Sequence, residues 1–214
     1  MSADHPIIFS GPMVQAILDG RKSQTRRLMK PQPKVYPGYE GWRWPVKMDG
    51  YAVIYGSEEP ERWLRYCPYG QPSDHLWVRE AHAIVPATAY RASEGVVQTV
   101  NPHDTYYAAI YRQGFDRANG CFGWRPSIHM PRWASRISLR VVEVRVQRLQ
   151  EISEEDALAE GLPEAPANLD PLQGIPWLSA RERFQGLWDD INAKPDRTWE
   201  DNPWVWIVGF ERKA

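Results

Sequence analysis

Residues 137–149 read Ile137-Ser138-Leu139-Arg140-Val141-Val142-Glu143-Val144-Arg145-Val146-Gln147-Arg148-Leu149. Apolar and polar residues alternate, as they do in a strand with one covered face. Ile137, Leu139 and Val141 fall on one face, whereas Val142, Val144 and Val146 fall on the other. A strand has a strict period of two, so the hydrophobic phase must slip by one residue at Val141-Val142. That slip predicts a bulge, or a bend carrying the strand between two sheets as in a small barrel.

The surrounding chain predicts an α+β domain around this strand. Pro6-Ile7-Ile8-Phe9 reads as a short strand, and Gly11-Pro12 opens a helix with Met13, Val14, Ile17 and Leu18 on one side and Gly20 as its stop. His75 to Val85 reads as a single strand, with Leu76, Val78 and Glu80 on one face. Ser153 caps a short acidic helix that Gly161 ends. Ser179 and Glu182 form a capping box for a helix whose Phe184, Leu187, Trp188 and Ile191 follow i, i+3, i+4, i+7. Trp204 to Phe210 is a closing strand. The sum is a mixed sheet or small β-barrel with about three helices in one domain. Insertions interrupt it at about 31–68, 86–120 and 163–178. Strand candidates lie inside the first two, at Tyr51–Tyr55 and Tyr106–Tyr111.

Composition narrows the function classes. The chain has 214 residues, 43% of them hydrophobic and 25% charged, which suits a globular domain. No apolar run approaches the roughly 20 residues that span a bilayer, and no secretory signal is visible at Met1 to Pro6, so no membrane partner and a cytoplasmic address are expected. Cys67 and Cys121 are too few and too far apart for a disulfide framework and read as buried reduced thiols. His75 and His82 would face opposite ways on a regular strand, which argues against a shared metal. The residues indicate no metal and no cofactor.

The net charge of −1 conceals an uneven distribution. Residues 1–50 carry eight Lys or Arg against four acids, and residues 121–148 carry six arginines against Glu143 alone. Residues 149–202 reverse the balance, with thirteen acids and four bases. A positive face assembled from the first two segments would suit RNA, DNA or another anionic ligand. The eleven Trp and ten Tyr residues add flat faces for stacking on bases, besides their ordinary use in packing.

Two constellations could carry chemistry. In Gly20-Arg21-Lys22-Ser23-Gln24-Thr25-Arg26-Arg27, four cations fall within seven residues. Their mutual repulsion weighs on Lys22, because arginine holds its proton. A neutral lysine can act as general base and Thr25 as nucleophile or donor, with Glu160 as the carboxylate for a second proton. Arg21, Arg26 and Arg27 would contact the ligand. The second constellation is His129, Arg132, Trp133 and Arg136, a Pro-braced loop suited to phosphate and base contacts, or to plugging a barrel mouth.

The Gly-Arg-Lys-Ser-Gln-Thr-Arg-Arg turn after a strand and helix, Asp74-x-Leu76 opening a strand, the segment from Ile152 to Leu162 and the final apolar strand resemble the activating-signal-cointegrator homology (ASCH) family, in its longer phage or prophage branch. The resemblance implies a PUA-like β-barrel that holds nucleic acid or a nucleoside. It further implies that Lys22, Thr25 and Glu160 match a set that hydrolyses the amide of N4-acetylcytidine. Ribonuclease activity, RNA or DNA binding without catalysis, and a phage assembly or host-interaction role are the alternatives.

Overall fold

A computed structural model of the chain describes residues 2–35, 43–48, 51–56, 63–117, 123–163 and 178–213. Cys121 and most of the third insertion, 164–177, lie outside the described residues.

The organising element is a mixed five-stranded sheet in the order β1-β5-β9-β10-β2. Its strands are β1 (Asp4–Ile8), β2 (Gln24–Leu28), β5 (His75–Arg79), β9 (Ser138–Arg148) and β10 (Trp204–Arg212). β1 runs parallel to β5, and every other pair in this sheet is antiparallel. A second sheet, β6-β8-β7, pairs β6 (His82–Pro86), β8 (Tyr107–Tyr111) and β7 (Gln98–Val100). β3 (Arg43–Met48) and β4 (Tyr51–Gly56) form a hairpin.

The phase slip in β9 is a bulge. Glu143 lies opposite Gly209 and Val141 opposite Phe210, so Val142 has no partner of its own on β10. Val141 and Val144 are buried, while Val142 is 42% exposed. Val142 and Glu143 thus both face outward, and Val141 and Val144 on either side of them reach the same core; Val142, expected on the face of Val144 and Val146, does not join them. The bulge follows the point where β5 stops pairing, since β5 covers only Ser138 to Arg140.

α1 (Gly11–Leu18) joins β1 to β2, the two edges of the sheet, and buries Val14, Ala16 and Ile17. Among the described residues no strand closes the sheet into a barrel. Between those edges the Arg27 side chain bridges instead, its Nη2 donating to Ile8 O at 2.6 Å. Ser153 Oγ accepts from Asp156 N and starts α2 (Glu154–Ala159). The capping box of Ser179 and Glu182 starts α3 (Ala180–Ile191).

The expected single strand over His75–Val85 is broken into β5 and β6, which belong to different sheets. Glu80, at the break, is buried and held by two hydrogen bonds from Arg136, 2.8 and 2.9 Å long. Burial raises the Glu80 pKa, against the opposing hydrogen bonds and charge of Arg136. The insertion after β6 is more ordered than its loop-like composition suggests, because β7 and β8 build the second sheet on it. Trp44 and Trp63 of the first insertion are core: Trp44 packs edge-on to Trp206 at 5.3 Å, and Trp63 edge-on to Trp204 at 5.5 Å. Cys67 is buried there, and burial pushes its thiol up to about 12, which makes it unreactive. No helix among the described residues is long and apolar enough to cross a membrane.

The bulge assigns opposite fates to neighbouring valines. Val142→Lys should leave the urea-unfolding free energy within about 0.5 kcal/mol of wild type, whereas Val144→Lys should cost more than about 3 kcal/mol. Equal costs would place the bulge elsewhere.

Candidate functional site

The basic turn is pinned by three backbone junctions. Gly20 adopts φ 76°, the left-handed geometry that ends α1, and Arg21 N and Lys22 N both donate to Ala16 O. Ser23 N then donates to Ala159 O, and Lys22 forms an isolated bridge with Glu160, the residue that caps α2. Gly161, at φ 92°, allows this approach. A Cβ there would stand 2.8 Å from both Ala16 Cβ and Lys22 Cβ.

Lys22 and Glu160, two of the candidate residues, are in direct contact. Lys22 Nζ donates to Glu160 Oε2 at 2.9 Å and to Glu160 O at 2.7 Å. Both residues are buried. Burial pulls the Lys22 pKa down from the ordinary lysine value, and Glu160 opposes that shift by charge and hydrogen bond. Thr25, also buried, follows on β2.

The cations of the turn have different partners. Arg21 is exposed and donates to Gly161 O and Asp19. Arg26 Nη2 donates to Asp156 Oδ2 at 2.6 Å, and its Nη1 lies 3.5 Å from Glu160 Oε1. Burial works to raise the Asp156 pKa, but the hydrogen bond and charge of Arg26 outweigh it and leave the pKa lowered. Arg27 lies on the opposite side of the strand, its guanidinium 5.0 Å from the centre of Phe9. Burial lowers its pKa too, against Tyr69 and Glu160, yet an arginine starts so high that it stays charged.

Thr25, Arg26, Arg27, Leu28 and Glu160 line a cleft of about 450 Å³, counting its open mouth. Met13 of α1 and Phe184, Leu187, Trp188, Ile191 and Asn192 around α3 complete the walls. Glu160 Oε1 and Arg26 Nη1 are buried without hydrogen-bond partners, as is Gln24 Nε2. Lys22 stands behind this wall. The α3 residues form the helical stripe that the i, i+3, i+4, i+7 spacing predicts, but nothing in that spacing marks them as cleft wall; Phe184 and Trp188 are buried, while Ile191 is 59% exposed beside the cleft.

The second constellation lies elsewhere, and none of its members lines the cleft. Arg136 is committed to Glu80, and Arg132 donates twice to Asp4 at 2.8 and 3.0 Å. Trp133 packs against a small cluster around Met130, Ala134 and Tyr111. His129 is exposed in a 3₁₀ turn. This loop therefore does not rim the cleft beside Lys22. The loop is tied to β1 and β6–β8, whereas the cleft opens along β2.

Among the described residues no cluster of His, Cys, Asp and Glu is suited to a metal. The chain matches no family model, no curated protein and no solved structure.

The depressed Lys22 pKa sets a pH signature. A lysine lowered in the folded state binds fewer protons there than in the unfolded chain, so stability rises as pH climbs from the folded value toward the ordinary 10.5. The double variant Lys22→Met/Glu160→Leu removes that contribution and leaves no buried charge unpaired within the pair. Its stability, measured by urea unfolding, should match or exceed wild type at pH 7 and lose that relative advantage by pH 10. A difference that stays constant with pH would contradict the assignment.

Proposed function

We propose that the cleft between β2, α1 and α3 receives a nucleobase, from a pyrimidine nucleoside or from RNA or DNA. Lys22, Thr25 and Glu160 then hydrolyse an amide on its exocyclic nitrogen, as in an N4-acylated cytidine. One observation carries this reading: a desolvated amine–carboxylate pair, Lys22 Nζ to Glu160 Oε2 at 2.9 Å, has its carboxylate on the wall of the cleft that Thr25 also lines.

The pair carries one transferable proton between a base and an acid. With Lys22 as amine and Glu160 as acid, the attacking oxygen, of water or of Thr25, bonds to the acyl carbon while its proton moves to Lys22 Nζ. The bond from carbon to the exocyclic nitrogen breaks, the leaving amine takes the Glu160 proton, and Lys22 returns a proton to Glu160. Where water attacks, the carboxylic acid is released directly; where Thr25 attacks, water then adds to the acyl ester with the same proton relay, the bond from carbon to Thr25 Oγ1 breaks, and the oxygen of Thr25 takes back its proton. Thr25 supplies either the attacking oxygen or a hydrogen bond to the developing oxyanion, and an acyl ester trapped on Thr25 would identify the first. The likeness of Gly20 to Arg27 to the ASCH turn supports the same reading, and a PUA-like fold is its structural corollary.

A second reading, base binding without chemistry, is favoured by one feature. Lys22 Nζ already has two acceptors on Glu160, and its side chain has no exposed surface.

Wild-type protein incubated with N4-acetylcytidine should release cytidine, followed by chromatography. Thr25→Val should slow release by about tenfold or more, and Lys22→Met/Glu160→Leu by about 100-fold or more, with both variants folded. Absence of cytidine release by wild type across pH 6 to 9 would eliminate the amidohydrolase and leave the binding module.

A further inference from the structure

The cleft does not end at Glu160. It shares Arg27, Leu28 and Asn192 with a second cavity of about 760 Å³, counting its mouth. Trp44 and Trp206, both buried, lie at the base of that cavity; Tyr66 and Tyr69 are half-buried in its wall, and exposed Lys30 is at its edge. Arg27 stands at the junction of the two spaces.

Arg27 is electrostatically unlike its neighbours. Lys22, Arg26 and Arg136 each have a carboxylate within 3 Å. Among the described residues Arg27 has none within ion-pair distance. Its Nη2 is spent on Ile8 O, and its Nε is buried with no partner. Arg27 is half-buried, and a partly desolvated charge without a counter-ion of its own can take one from a ligand. A guanidinium with donors to spare between two cavities offers the planar fork that phosphate oxygens fit. Half-buried tyrosine rings nearby suit a second planar ring.

We propose that the ligand bears a phosphate: Arg27 holds it between the two cavities, the base occupies the cleft beside Thr25, and a neighbouring nucleotide occupies the Tyr66–Tyr69 cavity with Lys30 at its mouth. The inference rests on the nucleobase reading of the cleft and narrows it from a nucleoside to a nucleotide. The phosphate could belong to a free nucleotide or to a strand, and these are separable.

The test is a titration of wild-type protein, followed by tryptophan fluorescence, with cytidine, cytidine 5′-monophosphate and a cytidine pentaribonucleotide. Each is measured at 50 and 200 mM salt. The monophosphate should bind at least tenfold more tightly than cytidine. A further gain for the pentanucleotide, with a slope of log affinity against log salt of about −0.7 for each phosphate held, would identify a strand. Equal affinity for the two phosphorylated probes would identify the free nucleotide. Arg27→Gln should bring all three probes to similar affinity, and Arg27→Lys should restore part of the difference. Cytidine binding as well as the monophosphate would overturn the phosphate site while leaving the proposed function standing. If none of the three binds, the nucleobase reading itself falls. The probe comparison needs no variant, so it stands whether or not the Arg27 variants fold.

Discussion

A lysine taken out of water must find its counter-charge inside the protein, and that requirement shapes one end of this molecule. Lys22 meets it with Glu160, through both the carboxylate and the backbone carbonyl. The solution fixes more than a side chain. Glu160 must end α2 within reach of the turn that ends α1, so the two helix ends and the start of β2 converge. Gly161 is required there, because a Cβ would strike Ala16 and Lys22. Removing one member alone would strand a buried charge, whereas removing both leaves packing the rest of the fold can absorb. The pair is accordingly weak evidence for stability.

The cationic turn is a less open surface than its charge suggests. Four positive groups in seven residues imply a field that attracts any anion, yet the structure assigns most of them individually. Lys22 is neutralised by Glu160, and Arg26 by Asp156 with Glu160 close by. Arg21 turns back onto the end of α2 and Asp19. The acid-rich segment after residue 149 therefore serves partly as internal counter-charge to the basic N-terminal segment. What remains without a hydrogen-bond partner is local, a few buried polar atoms around the cleft.

Much of this was legible in the residues, and for identifiable reasons. The valine phase slip located a bulge because strand periodicity is strict. Ser153 and the Ser179–Glu182 box marked helix starts because capping chemistry is local. Glu160 was a candidate partner for Lys22 on chemistry and on resemblance, but that the two touch was not legible, since nothing local links residues 138 apart. The failures are all matters of long-range placement. His75 to Val85 alternates like one strand, and only the distant Arg136, by holding Glu80, shows where it breaks. The loop from His129 to Arg136 has the composition of a ligand-binding loop, but Asp4 and Glu80 claim its arginines. Its place depends on strand order, which composition does not encode. Arg27 and Arg26 are adjacent and chemically identical, so only their opposite directions on β2 separate the paired cation from the one with donors to spare.

The apolar stripe of α3 also shows why a periodic pattern underdetermines a site. Phe184, Leu187, Trp188 and Ile191 share one face of a helix, and that spacing is the ordinary signature of core packing. Here the face is divided. Phe184 and Trp188 close onto Trp199, Ala157 and the outer side of the sheet, whereas Ile191 keeps most of its surface in the open beside β2. A helix that buried its whole stripe would have to move toward β2 and close the cleft over Thr25 and Arg27, which line it. Arg27 is only half-buried, and taking its charge fully out of water works against the gain from burying Ile191. A ligand with a planar apolar face and an anionic edge would relieve both at once, covering the helix while pairing with the strand. The chemistry of the opening is thus set jointly by a hydrophobic wall that lacks cover and by a cation with no carboxylate at ion-pair distance among the described residues.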